Sequence, residues 1–519
     1  MADETLLGSL DLAAAASGDP IITFFGGGAH TAEALMDKAA RTAAVLRDAG
    51  VRPDDRVGIF IANRVEFLWA YFGALWAGAI AVPLNVSLRG AVLEHMLAET
   101  SPTVLIAEQA RAPDLEAAVA ATGLKPRTFF VGDAATGTDR DLDAALDAAD
   151  PAPRADREPW DLQTILYTSG TTGPSKGVTH CNRSLVALAD NATWILGYRR
   201  EDVAYTDLPL FHANALLMSF LPAARVGAPT FVGARFSASR FWPSVRACKA
   251  TVISILGSMI PILWQAPERD DDAENDVRVA LAVPAPSSYF DALERRFGLR
   301  LASLYGLTDV GLPVGTPEGR GRPGLCGIPL PDWECRIVDE HDEEVPDGEP
   351  GEAVFRPRRP FVAPVGYWAQ PQATLESRAN LWQHSGDVLV REPDGWLRFV
   401  DRKKDAIRRF GENISAFEVE SVLELHPVIA EAAVFAVPSE LAEDEVMAAV
   451  VLEDGSTCTP EEIFEYSRER LAYFAVPRYI DLRAELPKTA TAKVRKDVLR
   501  GEGVTASAID GGPVGRSGR

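Results

Sequence analysis

Between residues 56 and 131 the chain alternates short apolar runs with helix-length stretches, and this alternation narrows the available folds most. RVGIFI reads as a buried strand, EFLWAYFGALWAGA as an apolar helix and IAVPLN as a second strand; TVLIAE, DLEAAVAATG and RTFFVG repeat the unit. Continuous apolar strands separated by helices predict mostly parallel strands covered on both faces, an α/β architecture. Upstream, TAEALMDKAARTAAVLRDAG carries Leu35, Ala39, Val45 and Leu46 at helical spacing and stops at Gly50. The alternation continues from about residue 185 to 300 through DVAYTDLPLFH, APTFVGARF, ATVISILG and VRVALAVPAP, followed by a helix over YFDALERRFG.

Between 320 and 400 the texture changes to Gly, Pro and short alternating runs (CRIVDE, GEAVFRP, GWLRFVDR), which predicts a small β-rich module. After DRKKD at 401–405 a compact α+β portion follows, with capping-box signals at SAFE (Ser415 to Glu418) and TPEE (Thr459 to Glu462). The expected organisation is a large α/β domain with its β-rich module over 1–403, a smaller α+β domain over 404–503, and a disordered tail over 504–519 that lacks periodic apolar content. Segment 134–160, acidic and rich in Ala and Pro, reads as surface, and no internal repeat is seen.

A chain of 519 residues exceeds what one core supports, so more than one domain is expected, and 47% hydrophobic residues suffice to fill them. The net charge of −22 argues against a nucleic-acid footprint. Cys181, Cys248, Cys326, Cys335 and Cys458 are scattered without CxxC spacing, which suggests neither a disulfide framework nor a zinc site. The acidic start MADETLLGSLD is unlike a secretory signal, and no run approaches the length of a membrane span. A soluble cytoplasmic protein with no membrane insertion is expected.

Directly behind the apolar TILY lies YTSGTTGPSKGV, residues 167–178, dense in glycine, hydroxyls and one lysine. Free glycine backbone lets N–H groups converge on an anion, and Ser, Thr and Lys add donors and charge, so the loop is suited to phosphate. It is not a Walker A loop: Ser175 precedes Lys176 and Gly177 follows it, where that motif needs Gly-Lys and then a hydroxyl.

The loop resembles the phosphate loop of the adenylate-forming superfamily, which includes acyl-CoA synthetases, peptide-synthetase adenylation domains and beetle luciferases. The resemblance runs in order through PLFHANAL, YGLTD, HSGDV, DRKKD, FGENISAFEVE and LPKTATAKVRK, and is closest to the carnitine and crotonobetaine CoA ligase branch. It implies that a carboxylate attacks the α-phosphate of ATP with loss of pyrophosphate, after which the CoA thiol displaces AMP. ATP, Mg2+ and CoA are the expected cosubstrates.

By the same resemblance, Thr168, Ser169, Gly170, Thr171, Thr172, Gly173 and Lys176 would hold the departing phosphates. Tyr305 and Gly306 would face adenine together with Ala285, Thr308 would donate to the α-phosphate, and Asp309 would be the magnesium ligand. Asp387 and Arg402 would hold the ribose, and Lys404 would be the hinge of a C-terminal domain that swings between two poses. Lys493 would bridge carboxylate and α-phosphate, Gly411 would admit the pantetheine arm, and His212 would gate an acyl pocket walled by Asn214, Ala215 and Met218.

Three positions depart from the pattern: Asp309 stands where glutamate is usual, AVPAP (Ala282 to Pro286) replaces a Gly-Ala-Ala-Pro type loop, and Ala492 precedes the lysine in place of glycine. DRKKD and FGENIS are intact. Three readings stay open: a complete acyl-CoA ligase, an adenylation-impaired member that thioesterifies an acyl-AMP supplied by a companion ligase, and a non-catalytic nucleotide or acyl binder. A homodimer is compatible with the resemblance, and the Ala/Arg/Gly-rich composition with secondary metabolism of a high-GC bacterium.

Overall fold

The computed structural model describes residues 4–132, 140–168, 174–256, 259–283, 285–287, 289–402, 406–439, 443–453, 455–488 and 494–512. The expected α/β layering is present as two seven-stranded sheets. In the first, the order is Arg300–Ala302, Val279–Val283, Val252–Leu256, Ala204–Thr206, Thr230–Val232, Ile22–Phe24 and Gly28–His30. Its pairs are parallel except at the Ile22–Phe24 and Gly28–His30 edge. In the second, Gly366–Tyr367, Lys176–Cys181, Leu162–Thr168, Ile80–Pro83, Arg56–Phe60, Val104–Glu108 and Arg127–Val131 follow one another.

One apolar core runs through both sheets and the helices around them. At its centre lies helix Val65–Ala77, in which Phe67, Leu68, Tyr71 and Leu75 have no exposure. A helix apolar on all sides can only be interior, and its one buried hydroxyl, on Tyr71, is paired with Thr164 Oγ1 at 2.8 Å. The β-rich module is an antiparallel sheet in the order Trp333–Val338, Pro350–Pro357, Gln383–Arg391 and Leu397–Arg402.

The residues from Ala406 onward build cores of their own. Along Ile429–Pro438 and Asp444–Leu452 the period of two divides the side chains cleanly. Ala432, Val434, Val446, Ala448 and Val450 enter one cluster, with helices Ala416–Glu424 and Pro460–Arg470. Ala433, Phe435, Val437, Met447 and Ala449 enter the other, with Leu499. Both faces are buried, which is why these strands read as unbroken apolar runs.

The tail requires a correction. Expected to be disordered from residue 504, it is held through Gly512: Ile509–Asp510 pairs antiparallel with Tyr479–Arg483, Gly511 N donates to the Arg478 carbonyl at 2.9 Å, and Asp510 meets the Arg478 guanidinium at 3.0 Å. The hydroxyls of Thr505 and Ser507 donate to the buried Asp481 carboxylate at 2.9 and 2.8 Å. Sheet-edge hydrogen bonds, not apolar burial, hold this strand, so it left no hydrophobic pattern to read. No helix among the described residues is long and apolar enough to cross a membrane.

Candidate active site

A cavity of about 400 Å³ opens between the large domain and the C-terminal domain. Thr168, Lys176, His212, Asn214, Met218, Gly306, Thr308, Asp309, Asp387 and Gly411 all line it. These residues are spread over nearly 250 positions, and what collects them is topology: the ends of both large sheets, the strand Gln383–Arg391 and one turn of the C-terminal domain meet here.

Thr168 and Lys176 are cross-strand partners at the end of the hairpin formed by Leu162–Thr168 and Lys176–Cys181. The glycine-rich loop expected to bind phosphate is therefore flanked on both sides by the cavity wall; Ser169, Gly170, Thr171, Thr172 and Gly173 lie outside the described residues. The Lys176 ammonium sits 4.8 Å from the centre of the Tyr367 ring. Tyr367 in turn donates its hydroxyl to Asp309 Oδ2 at 2.5 Å. The Asp309 carboxylate is thus fixed by a residue outside every motif. Burial and the neighbouring Asp309 both push the Tyr367 hydroxyl's pKa up, so it stays a donor.

Thr308 and Asp309 occupy the bend between Leu304–Leu307 and Gly311–Gly315. A Cβ at Gly306 would come within 2.6 Å of the Gly311 carbonyl, so the hairpin closes only with glycine there. Behind Thr308, burial drives His180 down to about 4, against the opposing pull of the Thr308 backbone, so the imidazole is neutral. Tyr305 does not line the cavity. Its ring stacks on Phe355 with centroids 5.7 Å apart and its hydroxyl donates to Asp387 Oδ2 at 2.7 Å, which braces Asp387 at the cavity edge.

Ala285 and Ala215 are buried without lining the cavity, whereas Val283 reaches it. For Ala215 the reason is helical: Asn214–Phe220 is a π-helical turn, in which positions four apart share a face, so Asn214 and Met218 point to the cavity and Ala215 into the core. The backbone of Arg402 pairs with that of Asp387, which places the end of its strand at the site. Lys404 and Lys493 lie outside the described residues.

The C-terminal domain contributes a hairpin, Ala406–Arg409 with Glu412–Ser415, closed by Phe410 and Gly411. Both turn residues have positive φ, 55° and 79°, as a two-residue turn matching strand twist requires. A Cβ at Gly411 would fall 2.5 Å from Leu256 Cδ1 of the large domain. The turn thereby delivers Glu412, whose Oε2 lies 2.9 Å from His212 Nε2, with Asn85 Nδ2 at 3.4 Å from Oε1. Burial opposes a charged His212, but the Glu412 carboxylate outweighs it and the imidazole's pKa is raised.

A second contact joins the domains at Ser175, where the glycine-rich loop ends. Glu418 accepts from Ser175 N at 2.6 Å and from the Ser175 hydroxyl. Sequence reasoning assigned Glu418 to a capping box with Ser415; the structure keeps only half of it. Ser415 Oγ accepts from Glu418 N at 3.3 Å, while the Glu418 carboxylate is spent on Ser175. At Thr459 and Glu462 both halves form. Burial raises the Glu418 pKa, partly offset by the Ser175 donors. Glu412, Glu418, Tyr367 and Asn85 were not foreseen as site residues; the first two lie inside FGENISAFEVE, so proximity to Gly411 was the available signal.

A family model described as AMP-binding enzyme matches residues 10–368, and one described as AMP-binding enzyme C-terminal domain matches residues 418–493. The chain therefore belongs to the AMP-binding, adenylate-forming enzymes. Among curated relatives, a crotonobetaine/carnitine–CoA ligase of Escherichia coli is 30% identical over 481 residues, covering 90% of this chain and 92% of the relative. The corresponding ligase of Shigella flexneri is 29% identical over the same span. Among solved structures, a benzoate CoA ligase from Burkholderia xenovorans superposes with a TM-score of 0.72 at 26% identity, covering 96% of this chain and 99% of that one. An o-succinylbenzoate CoA synthetase from Bacillus subtilis, bound with a product analogue, gives 0.83 at 25% identity over 97% and 99%.

Proposed function

We propose that the protein is a complete acyl-CoA ligase, converting a carboxylic acid to its CoA thioester through an acyl-AMP. The observation that carries this reading is the convergence of both half-sites on one cavity. Thr168, Lys176, Thr308, Asp309 and Asp387 come from the large domain, and the Gly411–Glu412 turn comes from the small one.

In the first half-reaction a carboxylate oxygen forms a bond to the α-phosphorus of ATP as the bond to the β-phosphate breaks. Lys176 and the loop ending at Ser175 suit the departing pyrophosphate, Thr308 a bond to the α-phosphate, and Asp387, braced by Tyr305, the ribose hydroxyls. Asp309 has one oxygen tied to Tyr367, and no group of three His, Cys, Asp or Glu able to hold a metal occurs among the described residues. One carboxylate completed by phosphate oxygens is the usual way Mg2+ is bound, so Asp309 fits an ion that arrives with the nucleotide. Bound there, Mg2+ would neutralise charge on the leaving pyrophosphate. Lys493 is the candidate for bridging carboxylate and α-phosphate after a swing about Lys404.

In the second half-reaction the CoA sulfur forms a bond to the acyl carbon and AMP leaves with its oxygen. The described arrangement suits this step: Gly411 presents bare backbone at the cavity, and His212, held by Glu412, stands beside it. The better superposition on the product-analogue complex supports the same assignment.

The test pairs two measurements: pyrophosphate release from ATP with a panel of acids, and acyl-CoA formation from synthetic acyl-AMPs. Pyrophosphate and thioester from a free acid are expected. Thioester from the adenylate without pyrophosphate from any acid would replace this reading with the half-reaction enzyme served by a companion ligase. Nucleotide binding without either product would leave a non-catalytic binder.

A further inference from the structure

The cavity's lining includes the apolar side chains of Phe211, Met218, Leu256, Val283, Leu304 and Leu307, and with them Asn214. The Asn214 amide is held in one orientation. The hydroxyl of Ser254, only 3% exposed, donates to Asn214 Oδ1 at 2.7 Å. Nδ2 carries two donors and has no protein partner among the described residues, so both are left for whatever fills the cavity. Of the other polar groups lining the cavity, His212 is bonded to Glu412, Asp309 to Tyr367, Asp387 to Tyr305 and Ser175 to Glu418, and Thr168, Lys176 and Thr308 are the groups read above as serving the nucleotide's phosphates.

We infer that Asn214 is a specificity-determining residue and that the acid substrate carries a neutral hydrogen-bond acceptor, an oxygen or an aromatic nitrogen, on an otherwise apolar acyl group. This rests on the acyl-CoA ligase reading. A purely hydrocarbon acyl group would strip water from the amide and leave its donors unpaired, a cost that sites of this kind convert into discrimination. A trimethylammonium group, such as that of the carnitine in the relatives' names, meets the wrong sign of dipole. The N–H end of the amide is the free one, and the carboxylates that line the cavity are already bonded, Asp309 to Tyr367, Asp387 to Tyr305, Glu412 to His212 and Glu418 to Ser175.

The experiment uses the full chain with ATP, Mg2+ and CoA, and two sets of near-isosteres. One is pentanoate against ethoxyacetate and methoxypropanoate; the other is benzoate against the three pyridinecarboxylates; carnitine is included as the cationic acid. We expect one acceptor-bearing acid to exceed its hydrocarbon parent in kcat/KM by about tenfold or more. Asn214→Leu should bring that ratio to within about threefold, through a larger fall in kcat/KM for the acceptor acid than for its parent, and Ser254→Ala, which frees the amide to rotate, should give an intermediate ratio. The Ser254 variant keeps the test informative should the leucine variant fail to fold. Parents used as well as their acceptor analogues, carnitine used better than all of them, or a ratio untouched by both variants would overturn the inference while leaving a working ligase. Neither pyrophosphate nor thioester from any acid would bring down the ligase reading, and this inference with it.

Discussion

Tyr367 sets the position of the carboxylate that is one methylene shorter than the family's usual glutamate. Its hydroxyl bonds Asp309 at 2.5 Å and its ring lies under the Lys176 ammonium, so one side chain positions both charges on this wall of the cavity. Misplacement of a catalytic group by about 1 Å can cost on the order of 100-fold. Tyr367→Phe keeps the ring and should slow pyrophosphate formation by about tenfold, with a much smaller effect on thioester formation from a supplied acyl-AMP. Equal loss in both assays would show that Tyr367 serves general stability. His212 offers a second test. Its raised pKa comes from Glu412 against the opposing effect of burial. The pair's contribution is therefore complete below the unfolded histidine value of about 6.5 and fades as pH climbs through the higher folded value. Glu412→Gln should lower the His212 pKa, read from the imidazole resonances of the seven histidines; an unchanged titration would mean that the pair does not form in solution. Thr168, Lys176, Thr308, Asp309, Asp387 and Gly411, which the structure gathers on one cavity, could be picked out in the sequence because each belongs to a contiguous pattern. Tyr367, whose contacts lie 58 residues away in sequence at Asp309, belongs to none.

At the scale of elements, the helices and inner strands could be read from periodicity, because burial writes a period into the sequence. The last strand could not, and its role can be tested. Asp481 is fully buried, and its carboxylate is satisfied by Arg483 at 2.8 Å together with the hydroxyls of Thr505 and Ser507. Deleting residues 504–519 removes two of these donors along with the edge strand. A buried acceptor left short of partners costs about 1 to 3 kcal/mol, so thermal or urea unfolding of the C-terminal domain should show a loss of about that size. If the deletion were silent, the strand would add no stability. The π-helical turn Asn214–Phe220 was illegible for a different reason. PLFHANAL carries an apolar face compatible with any helix, and the wider turn that aims Asn214 and Met218 together depends on packing against the strand that bears Ser254.

For the whole molecule, the contact between Glu418 and Ser175 ties the small domain to the segment that closes the glycine-rich loop. The Ser175 N–H and hydroxyl that serve a half-buried carboxylate here belong to the loop whose composition suits phosphate. Both anions cannot share these donors at full strength, and two like charges roughly 4 Å apart in a partly buried site repel by about 4 kcal/mol. That is ample to shift a two-state arrangement. Magnesium pyrophosphate should therefore displace the small domain from the arrangement described, seen as a change in the distance between spin labels placed one on each domain. In Glu418→Gln the amide carries no charge and can sit beside a phosphate, so the same addition should shift the distance distribution less. The burial that raises the Glu418 pKa works in the same sense. A raised folded value means the contact is favoured at low pH and loses that contribution as pH rises through it, so less pyrophosphate should be needed to open the wild-type contact at higher pH. A distance distribution that ignored pyrophosphate at every pH would show that the Glu418 contact and pyrophosphate binding coexist, and the domain arrangement would then have to be set by the other interdomain contacts, among them His212 with Glu412 and the apolar packing of Leu88 and Ala91.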